Sequence, residues 1–222
     1  MVEIVTFANR AFYADLLEDM YAMRYRVAVD KWGWKIPDIQ VGYDKDQFDT
    51  ENTVYLIEPD AERRHVIGCA RLNPTTSPHL MSEVFADACD LSGLAIGEDI
   101  WECSRFITDR AALARSELDI HTRQSVAIGI TEFCLQSGIK KLTWLTNQAF
   151  YNKAISVWDT RPLGLPRYYP DDDATYIAAV SDIDEKALKR QRDRLENVRD
   201  HITYAYMPVS ALGQSSLRRE AA

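Results

Sequence analysis

Between Ala11 and about Asp30 the apolar residues Leu16, Leu17, Met20, Met23 and Val27 recur at three- and four-residue intervals. This spacing predicts an amphipathic helix, with Arg24 and Arg26 carried along it. Lys31 to Asp49 is rich in Gly, Pro, Asp and aromatics, keeps no period, and predicts a structured loop. Three β-branched and aromatic runs follow: Thr53 to Glu58, His65 to Leu72 and Ile100 to Thr108. They read as strands, the first two joined in a hairpin by a polar turn.

Two prolines precede a short apolar turn suited to a brief helix near Leu80 to Ala86. Ser116, Glu117 and Asp119 open a long helical pattern through Gln136, with Gly138 as its stop. Lys141 to Thr146 reads as a strand and Ala149 to Trp158 as a helix, which ends at the proline-bearing stretch Arg161 to Pro170. Thr175 to Val180 predicts a strand. Ile183 to about His201 predicts a helix whose face carries Leu188, Leu195, Val198 and Ile202. Strands paired early and helical crossovers later imply an α/β protein, a three-layer α/β/α sandwich around a mixed, twisted sheet. Residues 1–210 are expected to form a single domain and residues 211–222 a frayed tail.

Composition narrows the function classes. The 222 residues are 46% hydrophobic and 27% charged, as in an ordinary globular protein. No apolar run approaches the ~18 residues of a membrane span, and the start lacks the pattern of a secretory signal, so a cytoplasmic enzyme is expected. A net charge of −8 opposes nonspecific nucleic-acid binding. Cys69, Cys89, Cys103 and Cys134 show no CxxC pairing, and the four histidines have no metal-ligand spacing. Disulfides, a metal centre and a histidine triad therefore gain no support.

Candidate chemistry lies in the charged residues among apolar neighbours. Tyr43 to Asp49 holds three carboxylates, which could be turn-forming aspartates or a solvated acidic face. Arg24 occurs on a helix whose opposite neighbours are apolar, Arg71 ends an otherwise hydrophobic strand and Arg105 lies within Trp101 to Thr108, and buried charges need partners. A network of Arg24, Asp46, Asp49, Arg71 and Arg105 follows as a physical possibility, functional or structural. Strict alternation in the third strand sets Glu102, Ser104 and Phe106 on one face and Trp101, Cys103 and Arg105 on the other. Glu102 between Trp101 and Cys103 is either a base candidate with a raised pKa or a member of an ion pair at a sheet end.

These residues resemble the LuxI-like autoinducer synthases, also called acyl-homoserine-lactone synthases. The resemblance covers roughly residues 1–150. It rests on Arg24 with Trp34, Asp46-Gln47-Phe48-Asp49 followed by Thr53-Val54-Tyr55-Leu56, Gly68-Cys69-Ala70-Arg71-Leu72, Phe85, and Glu102-Cys103-Ser104-Arg105-Phe106. It implies a fold similar to N-acyltransferases of the GNAT type. The implied activity is acylation of the amine of S-adenosylmethionine from an acyl thioester, followed by lactone closure with release of methylthioadenosine, giving a quorum-sensing signal.

No prosthetic group is implied; adenosylmethionine is a substrate, and acyl-ACP or acyl-CoA is the donor. The resemblance assigns Glu102, Ser104, Arg105, Asp46 and Asp49 to catalysis, with Glu102 as base. Arg24, Trp34, Arg71 and Phe106 fall to adenosylmethionine and a closing lid. Met81, Phe85, Thr143, Trp144, Leu145, Thr146 and Phe150 are candidate acyl lining, against plain core packing. Lys140, Lys141 and Lys153 are the candidate basic patch for an acidic carrier protein. Position 28 is Ala where the family carries an aromatic, and beyond residue 150 the family pattern dissolves. The rivals are a coenzyme-A-dependent N-acetyltransferase, for which the expected glycine-rich turn is missing in residues 108–124, and a noncatalytic module binding adenosylmethionine or an acyl group.

Overall fold

The computed structural model describes residues 1–109 and 116–194, with side chains from residue 121 in the second span, and the backbone of residues 202–203. The expected tail at 211–222, the domain limit at 210, the cap side chains Ser116, Glu117 and Asp119, and Leu195, Val198 and His201 lie outside the described residues.

Elements follow the chain as β1 (Val2–Val5), α1 (Ala14–Arg24), β2 (Val54–Pro59), β3 (Val66–Pro74), α2 (Leu80–Glu83), β4 (Ile100–Thr108) and α3 (Ser116–Ser137). Next come β5 (Lys141–Thr146), α4 (Gln148–Ala154), β6 (Asp159–Pro162), β7 (Arg167–Tyr169), β8 (Ala174–Asp182), α5 (Glu185–Arg194) and β9 (Ile202–Thr203). Eight strands pair in the order β6-β8-β5-β4-β3-β2-β1-β9, and β7 adds to the start of β8. The β4–β5 and β1–β9 pairs are parallel and the others antiparallel, so the sheet is mixed as expected.

The sheet has a core on each face. On one, α1 packs Leu16, Leu17, Met20 and Met23 against Tyr55, Ile57, Cys69 and Ile107. On the other, Val126, Ile130 and Phe133 of α3, Ala154 of α4 and Ala187 of α5 meet Leu56, Leu72, Cys103, Leu142 and Trp144. Alternating strand residues feed the two cores, producing the three-layer sandwich. The helix beginning at Ala14 continues beyond Arg24 as a π-helical turn, Tyr25–Lys31, which buries Val27 and Ala28. Gly33, at φ +76°, reverses the chain, and the Trp34 N–H returns to the Ala28 carbonyl at 2.9 Å. Ala28 is thus a core residue whose backbone fixes Trp34.

Gly138 ends α3 in the left-handed conformation, as its position after the helical pattern predicts. Four strands depart from the sequence reading. β1 is a four-residue segment, three of its residues aliphatic, made a strand by pairing with β2. β6 and β7 arise inside the proline-bearing stretch, where Pro162 is tolerated because β6 is the sheet's edge. Ile202, expected on a helix face, lies in β9.

The loop after β6 lies close to the turn after α2, with the N–H groups of Leu91 and Ser92 both reaching the Leu163 carbonyl at 3.0 Å. A Cβ on Gly164 would meet the Ala88 carbonyl oxygen at 1.9 Å. Gly164→Ala is expected to destabilise the protein by about 1–3 kcal/mol through this backbone clash. Chemical denaturation checks it; unchanged stability would mean the two loops part freely.

Candidate active site

The segment from Asp44 to Asp49 has no regular structure of its own, and its shape comes from the charges it meets. Arg24 Nε and Nη2 donate to Asp44 at 3.2 Å each, and its Nη1 and Nη2 donate to Asp49 at 2.9 and 3.0 Å. Arg105 Nε donates to Asp44 at 2.8 Å, and its Nη2 to Asp46 at 2.9 Å. Arg71 Nη1 donates to Asp46 at 2.6 Å and to Asp49 at 3.0 Å. The six side chains close a ring, Arg24·Asp44·Arg105·Asp46·Arg71·Asp49, in which every charge has an opposite charge on both sides. All six side chains are at most 5% exposed.

Burial alone would disfavour the charged forms; here the neighbouring charges win. Burial raises the Asp44 pKa, but Arg105 and Arg24 overcome it and hold the carboxyl below 3.8. Asp49 is held far below the usual range by Arg71 and Arg24 against the same burial. Tyr55 adds a hydroxyl donor to Asp49 at 3.0 Å and itself contacts the Tyr21 hydroxyl at 2.7 Å. Arg71 Nε donates to Ser104 Oγ at 2.9 Å, and its Nη2 is buried without a hydrogen-bond partner among the described residues. The expected network therefore exists and has one more member. Asp44 went unassigned, although three arginines beside two chosen aspartates already called for a third carboxylate.

Strict alternation fails at Arg105. Arg71 pairs with Ser104 while Cys69 pairs with Ile107, so β4 carries an extra residue, and Arg105 sits at φ +52°. Such a conformation costs a non-glycine residue roughly 1–3 kcal/mol, and the ring holds it in place. The bulge sets the Arg105 side chain beside Asp44, on the same face as Ser104. It turns Phe106 to the opposite core, against Phe150 at 5.5 Å. The expected grouping of Phe106 with Glu102 and Ser104, and of Arg105 with Cys103, is corrected accordingly.

β4 and β5 pair only from Ile100↔Lys141 to Glu102↔Thr143. Beyond that point the strands part, and a cavity of about 270 Å³ lies against the gap. Its polar lining is Asp46, Gln47, Glu102, Ser104, Arg105, Lys35, Asp38, Asp172 and Tyr176. Trp34, Ile36, Pro37, Phe48, Leu80, Val84, Phe85, Cys103 and Leu145 supply the rest. The Arg105 guanidinium lies 5.4 Å from the Trp34 ring centroid, so the ring also fixes this wall. Burial pushes the Cys103 thiol up to about 12, which leaves it protonated at neutral pH.

Glu102 is 2% exposed. Its carboxylate accepts the N–H groups of Leu80 and Met81 at 3.2 and 2.6 Å, anchoring α2 and with it the Leu80–Phe85 wall. Burial pushes its pKa above 4.5; the Met81 N–H, Arg71, His79 and the Leu80 N–H pull it back only in part.

Asp46, Glu102, Ser104, Arg105, Trp34, Phe85 and Leu145 thus line the cavity. Arg24, Arg71 and Asp49 stand behind it and touch it through Asp46 and Arg105. The other acyl candidates do not line it. Met81 is buried under α2, Thr143 bonds the Trp101 carbonyl at 3.5 Å, and Thr146 is a half-buried strand residue paired with Ile177. Trp144 and Phe150 belong to the opposite core, 5.6 Å apart. Lys140 and Lys141 are paired with Asp99 at 3.1 Å and Asp182 at 3.9 Å.

Residues 9–190 match the profile of the autoinducer synthases. The chain belongs to this family. An isovaleryl-homoserine lactone synthase of Bradyrhizobium diazoefficiens is 32% identical over 88% of this chain and 85% of its own. An acyl-homoserine-lactone synthase of Acinetobacter baumannii is 33% identical over 74% and 82%. The structure of BjaI, a CoA-dependent acyl-homoserine lactone synthase with SAM and isopentyl-CoA, superposes with a TM-score of 0.82 at 28% identity, covering 98% of this chain and 99% of that one. A putative N-acetyltransferase from Lactobacillus plantarum, at 17% identity and a TM-score of 0.50, shares the fold of this autoinducer synthase. No helix among the described residues is long and apolar enough to cross a membrane.

Removal of one ring carboxylate leaves two guanidinium groups short of a partner. Asp44→Ala is expected to cost about 3–5 kcal/mol in chemical denaturation. Because the Asp44 and Asp49 pKa values are depressed, their stabilisation is complete above the unfolded value near 3.8 and is lost as pH falls below it toward the folded values. An acid titration of wild type and Asp44→Ala should converge below that pH.

Proposed function

We propose that this autoinducer synthase acylates the amine of S-adenosylmethionine from an acyl thioester of coenzyme A and then closes the product to an N-acyl-homoserine lactone, releasing methylthioadenosine. The observation that carries the reading is the meeting of Glu102, Asp46 and Arg105 with an apolar wall at the gap between β4 and β5. Coenzyme A as donor is favoured by the relative BjaI, which was solved with isopentyl-CoA. A cytoplasmic location suits these substrates.

Asp46 suits the cationic ammonium and sulfonium groups of adenosylmethionine, and Arg105 suits its carboxylate. Arg24, Arg71 and Asp49 act through these two as positioning residues. Glu102 takes the ammonium proton, directly or through one water; each of its oxygens uses one of two lone pairs on α2, and burial makes the carboxylate a stronger base. The freed amine attacks the thioester carbonyl. Charge that gathers on the carbonyl oxygen meets the Ser104 hydroxyl, which already accepts from Arg71, and N–H groups of β4 beyond its pairing with β5. The tetrahedral species collapses to the amide, and the thiolate leaves and takes up a proton. The substrate's carboxylate then attacks the carbon bonded to sulfur, forming the lactone C–O bond as the C–S bond breaks. Proximity drives this step, and no protein nucleophile is required.

Incubation with adenosylmethionine and a panel of acyl thioesters, including isovaleryl-CoA, longer acyl-CoAs and acyl carrier protein, should release methylthioadenosine and free thiol in equal amounts. No release with any donor overturns the function; release with carrier-protein thioesters only overturns the donor. Glu102→Gln should lower kcat by roughly 10²- to 10⁴-fold. In wild type, kcat/KM should fall as pH drops through a pKa above the 4.5 of an ordinary glutamate, and Glu102→Gln should lack that limb. A full rate in Glu102→Gln removes the base assignment.

A further inference from the structure

Most of the polar groups that line the cavity fall into two sets. One is the ring's edge, Asp46, Ser104 and Arg105, with Glu102 beside it. The other is built around Asp172, in the turn that leads into β8. The Asp172 carboxylate accepts the backbone N–H of Lys35 at 3.4 Å, and Tyr176 lines the same cavity. Burial and this carboxylate push the Tyr176 pKa up to about 12, so the phenol remains a donor across the neutral range. The Tyr176 ring packs edgewise on Phe85 at 6.2 Å, which ties the second set to the apolar wall. Asp172 is only half-buried, and no cation pairs with it among the described residues.

If the ring's edge receives the charged methionine portion of adenosylmethionine, the adenosyl portion extends across the apolar wall. What it offers there is a vicinal diol, two O–H donors on neighbouring carbons. A carboxylate is acceptor-only with about four lone-pair sites, of which the Lys35 N–H occupies one. Two parallel O–H···O⁻ bonds to one carboxylate are short and charge-assisted. We propose that Asp172, held by the Lys35 N–H, binds the 2′,3′-diol of the adenosyl ribose and so selects ribonucleoside substrates. The Lys35 bond joins the same carboxylate to the segment that carries Trp34, so diol binding and closure of that segment meet at one residue. This inference rests on the proposed function.

The test uses methylthioadenosine, which carries the diol but neither the amine nor the carboxylate, so binding is read apart from chemistry. Calorimetry on the full chain compares it with its 2′,3′-dideoxy counterpart. Wild type should bind the dideoxy ligand roughly ten- to a hundredfold more weakly. Asp172→Ala should bind both equally weakly, and Asp172→Asn should lie between. Equal binding of the two ligands by wild type overturns the inference. So does an Asp172→Ala protein that loses affinity for both yet keeps the discrimination, since Asp172 would then only shape the roof. If wild type binds no methylthioadenosine while turning over no adenosylmethionine, the function falls first and the inference with it; turnover without diol discrimination sinks the inference alone.

Discussion

A closed ring of three arginines and three aspartates, buried between the sheet and α1, is the interaction on which the site depends. Taking six charges out of water is expensive, and an isolated buried pair often fails to offset its desolvation. Closure changes that balance, because each guanidinium and each carboxylate meets two opposite charges and the ring as a whole is neutral. Arg24 comes from α1, Arg71 from β3, Arg105 from β4 and the aspartates from one irregular loop. Four parts of the chain are thereby fixed to one another. Hydrophobic packing could join α1 to the sheet, but it could not dictate the path of a loop that contains so few apolar side chains.

Two local irregularities convert this rigidity into a site. Arg105 occupies a left-handed backbone position inside a strand, a strain that persists because two carboxylates hold its side chain. The resulting bulge aims Arg105 at the cavity side and Phe106 into the far core. A few residues earlier, β4 and β5 cease to pair, which leaves backbone groups and a gap against which the cavity forms. Glu102 stands at that point of separation and holds the short α2 by two backbone bonds. The same carboxylate therefore shapes the cavity wall and, in the proposed reaction, handles the proton.

The last third of the chain, where resemblance to the autoinducer synthases is weakest by motif, closes the cavity from the other side. β6, β7 and β8 bring Asp172 and Tyr176 against the segment that carries Trp34. Gly164 permits the close approach of this unit to the turn after α2.

The long helices, the central strands and the charged members of the site were legible in the sequence, because each rests on local regularity: helical spacing, β-branched runs, and cations set among apolar neighbours. Arg24, Asp46, Asp49, Arg71 and Arg105 could be grouped by the rule that buried charges need partners, and the same rule counted one step further would have added Asp44. Tertiary structure decided the rest. β1 and β6 are strands only because of what they pair with, and a bulge, invisible to a period-two pattern, sent Arg105 and Phe106 to opposite faces from those expected. Trp144 and Phe150 face the far core and Asp172 and Tyr176 the cavity. Side-chain direction at those positions depends on strand register and on contacts between residues more than a hundred positions apart, which hydrophobic spacing along the chain does not encode.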